Sequence, residues 1–207
     1  MTTIRHSNTV RAGLLFAVGA AVAALALVLS SGSQADPPSS DQPVSLFSRP
    51  QTSSDLQGLP SGDLLSNLSS GEPSVQFADA RRVTTSEGDM WAAGGSEGAC
   101  IAAQSRALTV PWGVVCGPSA TIASTGLFML LDAGDQPVDG SPPGQIRMFG
   151  LVPDDVVAVH VAAASGQSAD LAPDESTVAW HTASPVTSIT VARDDETTAT
   201  IDLTEGS

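Results

Sequence analysis

The chain has 207 residues, with 8 Lys+Arg against 22 Asp+Glu and a formal net charge of −14; all 8 cations are arginine. The lack of lysine excludes Schiff-base catalysis, a Ser-Lys dyad and a P-loop lysine. A pI near 4.2 with no basic cluster excludes nucleic acid as a partner, because such binding rests on phosphate neutralisation.

At 42% hydrophobic and 14% charged residues, the chain is too apolar to be disordered throughout. Its length accommodates one modest domain plus an extra segment. The first element is that segment. Arg5, His6 and Arg11 precede an uncharged run from Ala12 to Leu29. Its 18 residues reach about 27 Å as a helix, close to the roughly 30 Å of a hydrocarbon core. Ser33-Gln34-Ala35 places small residues where a signal peptidase cuts. Residues 1–35 are therefore a signal anchor or a signal peptide, and the length of the apolar run favours the anchor. Either way the N-terminal arginines stay inside and Asp36 onward is exported. The expected location is the cell membrane, single-pass with the C-terminal part outside the cytoplasm; cleavage at Ala35 would release it as a secreted protein.

Residues 36–77 read as a tether, with 6 Pro, 11 Ser and 3 Gly among 42 positions. Such composition is extended and solvated. Leu46 and Phe47, followed by Leu56, Leu59, Leu64, Leu65 and Leu68, are too apolar for a linker with no docking role. Short helical turns over Ser54–Leu68, interrupted by Pro60, are expected to pack loosely on the domain.

From Ala78 the pattern has period two. Val157, Val159 and Val161 alternate with Ala158, His160 and Ala162, and Ala199, Ile201 and Leu203 alternate with Thr198, Thr200 and Asp202. Ile189 and Val191 lead into the polar turn Arg193-Asp194-Asp195-Glu196, which predicts a terminal hairpin. Arg82–Thr85, Met90–Ala93, Gly113–Cys116, Leu127–Leu131, Ile146–Leu151 and Val178–His181 are further strand candidates. With no long 3.6-period segment, residues 78–207 predict an all-β domain, a small sandwich or barrel. Cys100 and Cys116 lie in the exported part, are even in number and sit in apolar strand-like runs, so a disulfide between them is expected.

The apolar N-terminal run, Leu46-Phe47-Ser48-Arg49-Pro50-Gln51, Asp79-Ala80-Arg81-Arg82-Val83, Gly98-Ala99-Cys100-Ile101, a second Cys before Gly117-Pro118, and Gly150-Leu151-Val152-Pro153-Asp154-Asp155-Val156 together resemble a family of exported, membrane-anchored proteins from high-GC actinobacteria. The resemblance spans most of residues 1–165 and implies architecture alone, since the family carries no assigned activity. After Ser165 this chain lacks an Asn-containing segment typical of that family, which leaves the order of its last strands open.

One pentapeptide suggests chemistry. Gly94-Gly95-Ser96-Glu97-Gly98 matches G-x-S-x-G, which in a hydrolase throws the serine out between a strand and a helix, with His160 or His181 available as base. The same residues read naturally as a hairpin loop between two short strands, and the chain lacks the alternating β and α segments that build a hydrolase of this kind. Asp132, Asp135 and Asp139 fall in one Gly/Pro-rich loop but miss the spacing of a calcium loop. His160 and His181 lack further zinc partners, and Trp91, Trp112 and Trp180 suit either core packing or sugar stacking. The expectation is a non-catalytic exported domain, without cofactor or metal, that binds an unknown envelope partner or serves structurally and meets the membrane through its N-terminal helix. The alternative is a small extracytoplasmic serine hydrolase using Ser96.

Overall fold

The computed structural model describes residues 44–60, 65, 75–104, 112–132 and 144–204. The expected anchor over 1–35, Ala35, most of the tether's leucines beyond Pro60, and Asp135 and Asp139 lie outside these residues. Among the described residues no helix is long and apolar enough to cross a membrane.

Among the described residues the fold is all-β, in three antiparallel sheets with one short complete α-helix. The first sheet is a meander of β1 (Arg81–Thr85), β2 (Gly88–Gly94), β3 (Gly98–Gln104) and β4 (Trp112–Pro118). Helix α1 (Ser119–Thr125) follows; it ends where Gly126, at φ 79°, donates its N–H to the Ile122 carbonyl. Left-handed backbone of this kind favours glycine. The middle sheet holds β5 (Leu127–Asp132), β6 (Ile146–Leu151) and β9 (Thr177–Thr182) in the order β5-β6-β9. The third sheet has the order β11-β10-β7-β8, from β7 (Val156–Ala163), β8 (Ser168–Leu171), β10 (Val186–Arg193) and β11 (Thr198–Asp202).

Period two explains how these sheets stack. On β5 and β6, Leu127, Met129, Leu131, Phe149 and Leu151 face the first sheet and join Val83, Met90, Ala92 and Ile101 in one core. Their neighbours Phe128, Ile146 and Met148 face the third sheet and pack against Val159, Val161, Ile189 and Val191. The middle sheet is thus covered on both faces, and the last four residues of β6 are all buried. The first sheet is double-sided as well. Its outer face carries Trp91, Ala93, Cys100 and Ala102 under Leu65, Phe77 and Ala80, which is why six of the seven residues of β3 are buried.

Residues 44–60 run across this structure as a strap. Val44 and Leu46, 1% and 3% exposed, belong to the core between the first and middle sheets. Phe47 lies over Gly94, where a Cβ would stand 3.0 Å from its ring. The Ser45 N–H and hydroxyl both donate to Asp154 Oδ1 at 2.9 Å. Pro- and Ser-rich composition made this stretch look like part of a tether; two buried aliphatic side chains and one aromatic ring place it in the folded body.

Cys100 and Cys116 stand opposite each other on β3 and β4 and are bonded. Their Cα atoms are 4.0 Å apart, closer than the roughly 4.4–6.8 Å usual for disulfides.

Candidate functional site

Ser96 lies in the loop that joins β2 to β3, closed by the Gly95 N–H donating to the Gly98 carbonyl at 2.8 Å. Strand–loop–strand is the hairpin alternative; a nucleophile elbow requires a helix after the serine, and here β3 follows. Ser96 is exposed. The cavity against this loop, lined by Val44, Phe47, Gly95, Ala99 and Ile122 among others, is apolar and holds about 20 Å³, room for a single water at most.

The two histidines are held elsewhere. His160 on β7 donates Nδ1–H to Asp170 Oδ1 on β8 at 2.8 Å, and both side chains are open to solvent. His181 on β9 donates Nδ1–H to Glu87 Oε1 at 2.9 Å. Each histidine is thereby oriented by a carboxylate, and neither bonds Ser96.

The Glu87 contact borders an open polar cleft of about 370 Å³ lined by Thr84, Thr85, Ser86, Glu87, Gly88, Asp89 and Arg147. The tight turn between β1 and β2 builds it: the Thr85 hydroxyl donates to the Gly88 carbonyl at 2.8 Å and accepts from the Glu87 N–H at 3.2 Å. Asp89 accepts from the Thr84 hydroxyl at 2.9 Å and from Arg82 Nη2 at 2.6 Å. Arg147 on β6 is the register partner of His181. Chemically the cleft offers hydroxyls, carboxylates, an imidazole and a guanidinium, largely engaged with one another. Glu87, Asp89 and Arg147 escaped the sequence reading because no motif links a turn in β1–β2 to a position on β6.

A tighter polar cluster joins the strap to β1. Asp55, 2% exposed, accepts four hydrogen bonds. Oδ1 takes Arg49 Nη2 at 2.8 Å and the Arg82 N–H at 2.9 Å; Oδ2 takes the Thr52 N–H at 2.6 Å and its hydroxyl at 2.8 Å. Burial alone pushes this carboxyl up; the bonds from the Thr52 and Arg82 amides, the Thr52 hydroxyl and Arg49 outweigh it and hold the group well below the usual carboxylate range. Arg49 Nη2 also donates to the Arg82 carbonyl at 3.1 Å, Arg81 Nε to the Arg49 carbonyl at 2.7 Å, and Gln51 Nε2 to the carbonyls of Ala78 and Ala80 at 2.8 and 3.2 Å. Two of the short motifs, Leu46–Gln51 and Asp79–Val83, are therefore two halves of one joint. The Gly150–Val156 motif makes another: Asp154 receives Ser45 and the Ser176 hydroxyl, while Asp155 pairs with Arg193, whose Nη2 also donates to the Ser124 carbonyl at the end of α1, at 2.8 Å.

The remaining candidates divide. Trp91, 1% exposed, packs against Trp112 with ring centroids 5.1 Å apart and beneath the Arg82 guanidinium, 5.5 Å from its ring centroid. Trp180 packs toward the core between the middle and third sheets. Asp132 ends β5, and among the described residues no group of three or more His, Cys, Asp or Glu side chains could hold a metal ion.

Comparison of the chain with family models, with curated proteins and with solved structures finds no match.

Proposed function

We propose that this chain is an exported, non-catalytic module of the cell envelope, anchored through its N-terminal apolar helix, whose β domain binds a partner or serves structurally outside the cytoplasm. The Cys100–Cys116 bond carries the compartment: disulfides persist in oxidising surroundings, which agrees with the arginine-flanked apolar run at the N-terminus. The hairpin around Ser96 favours this reading over the hydrolase. The resemblance to exported, membrane-anchored actinobacterial proteins supports the same architecture. In its finer form the first and middle sheets make a barrel-like body, with β4 beside β5 and β1 beside β9, backed by the third sheet.

A fluorophosphonate probe applied to the full chain tests the non-catalytic reading. No labelling is expected; stoichiometric labelling lost in Ser96→Ala would overturn it. N-terminal sequencing of the same envelope-derived protein reads the topology, with residues 1–35 retained under the anchor reading and a first residue of Asp36 contradicting it.

A further inference from the structure

Among the described residues β1 is an edge strand of the first sheet: its ladder is with β2, and β9 lies beside it without pairing. An edge of this kind offers its outward N–H and C=O groups to any extended chain, and folded proteins blunt such edges to avoid pairing with copies of themselves. Alternation along β1 turns the peptide groups of Arg82 and Thr84 outward, and those of Arg82, which stands opposite Trp91, are the ones the strap takes. Its N–H donates to Asp55 Oδ1 at 2.9 Å and its carbonyl accepts from Arg49 Nη2 at 3.1 Å. Arg49 and Asp55 are themselves paired at 2.8 Å. One acceptor and one donor, held side by side, thus present to Arg82 what the peptide groups of a neighbouring strand would present. Gln51 extends the cover by donating to the carbonyls of Ala78 and Ala80.

We propose that the Arg49–Asp55 pair is an edge guard: by occupying the outward hydrogen-bonding groups of Arg82 it keeps β1 from pairing with β1 of a second copy of this chain. Pairing of identical edges about Arg82 is an isologous, two-fold contact, and the strap blocks it only while it is latched. The latch is the same carboxylate, because Asp55 Oδ2 also fixes the Thr52 N–H and hydroxyl and so holds the Thr52–Asp55 turn over the edge. Arg and carboxylate match each other in planar geometry, and their bonds are charge-assisted.

The test uses the full chain in detergent micelles. In the wild type the Arg82 amide exchanges with solvent as slowly as amides inside the β2–β3 ladder; exchange at the rate of an open edge would overturn the proposal. Sedimentation then compares Asp55→Ala and Arg49→Ala, each checked for fold by circular dichroism. Self-association rises at least tenfold in Asp55→Ala and to a smaller degree in Arg49→Ala, which frees the carbonyl alone. Spin labels on Thr84→Cys in the associated variant broaden one another, marking β1-to-β1 contact. If Asp55→Ala fails to fold, Arg49→Ala decides. A folded variant that stays monomeric, or a dimer without spin broadening, contradicts the guard.

Discussion

Asp55 shows how much one side chain can decide in a chain of this composition. A carboxylate is costly to bury unless its oxygens are fully bonded, and all four of its bonds come from the strap or from β1. Removing it strands the Arg82 and Thr52 amides and the Arg49 guanidinium together, so Asp55→Ala is expected to cost about 2–4 kcal/mol of unfolding free energy. Its pH dependence has a definite sign. The folded-state pKa is depressed below the unfolded value of about 3.9, so the stabilisation is fully present above that value and is lost progressively as pH falls beneath it. Asp55→Asn should therefore lose most stability at neutral pH and flatten the acid limb; urea midpoints from pH 6 down to about pH 3 check this. A wild type and variant whose acid limbs run parallel would show that the carboxylate is not the linked group. Nothing in the sequence around Asp55 announces this role, because its partners lie both 3 to 6 residues away and, at Arg82, 27 residues away.

Strands were legible where alternation is clean. Ile146–Leu151 is β6 to the residue, Leu127–Leu131 differs from β5 by one residue, and the terminal hairpin forms around Arg193–Glu196 as expected. Its turn is set by Asp195, whose carboxylate accepts the Thr197 hydroxyl and N–H; those bonds hold this exposed group below the ordinary carboxylate value. Three elements were not legible, each for a physical reason. β8 is short and reads Ser-Ala-Asp-Leu, half exposed and without β-branched residues. α1 carries a single buried residue, Ile122, so no 3.6-residue stripe marks it. The strap buries side chains singly and from turns, a pattern with no period. The disulfide was legible because two cysteines allow only one pairing. Replacing both cysteines by serine should lower the unfolding free energy by about 2–4 kcal/mol in the chain-entropy account, with Cys100→Ser alone costing at least as much. Alkylation under non-reducing denaturing conditions followed by mass spectrometry checks the bond itself: two alkylatable thiols would refute it.

At the scale of the whole molecule, three sheets and a strap are stacked so that both the first and the middle sheet are covered on two faces. The cost of such stacking is that small or flat residues must sit where layers meet, which is how a chain rich in Ala and Gly becomes a packed core rather than a loose one. It also brings together short segments that lie far apart in sequence: Leu46–Gln51 meets Asp79–Val83 at Asp55, and Ser45 meets Gly150–Val156 at Asp154. The polar cleft at Glu87, Asp89 and Arg147 opens where the β1–β2 turn reaches His181 of the middle sheet. Residues 44–60 pack as part of the folded body, with Val44 and Leu46 in its core. Hydrogen exchange on the full chain measures this directly. The amides of Phe47, Arg49 and Asp55, which donate to the carbonyls of Val44, Leu46 and Thr52, should open only with the β2–β3 ladder, at the free energy of global unfolding. Exchange of these three amides at the rate of an unstructured peptide, while β2 and β3 stay protected, would contradict it.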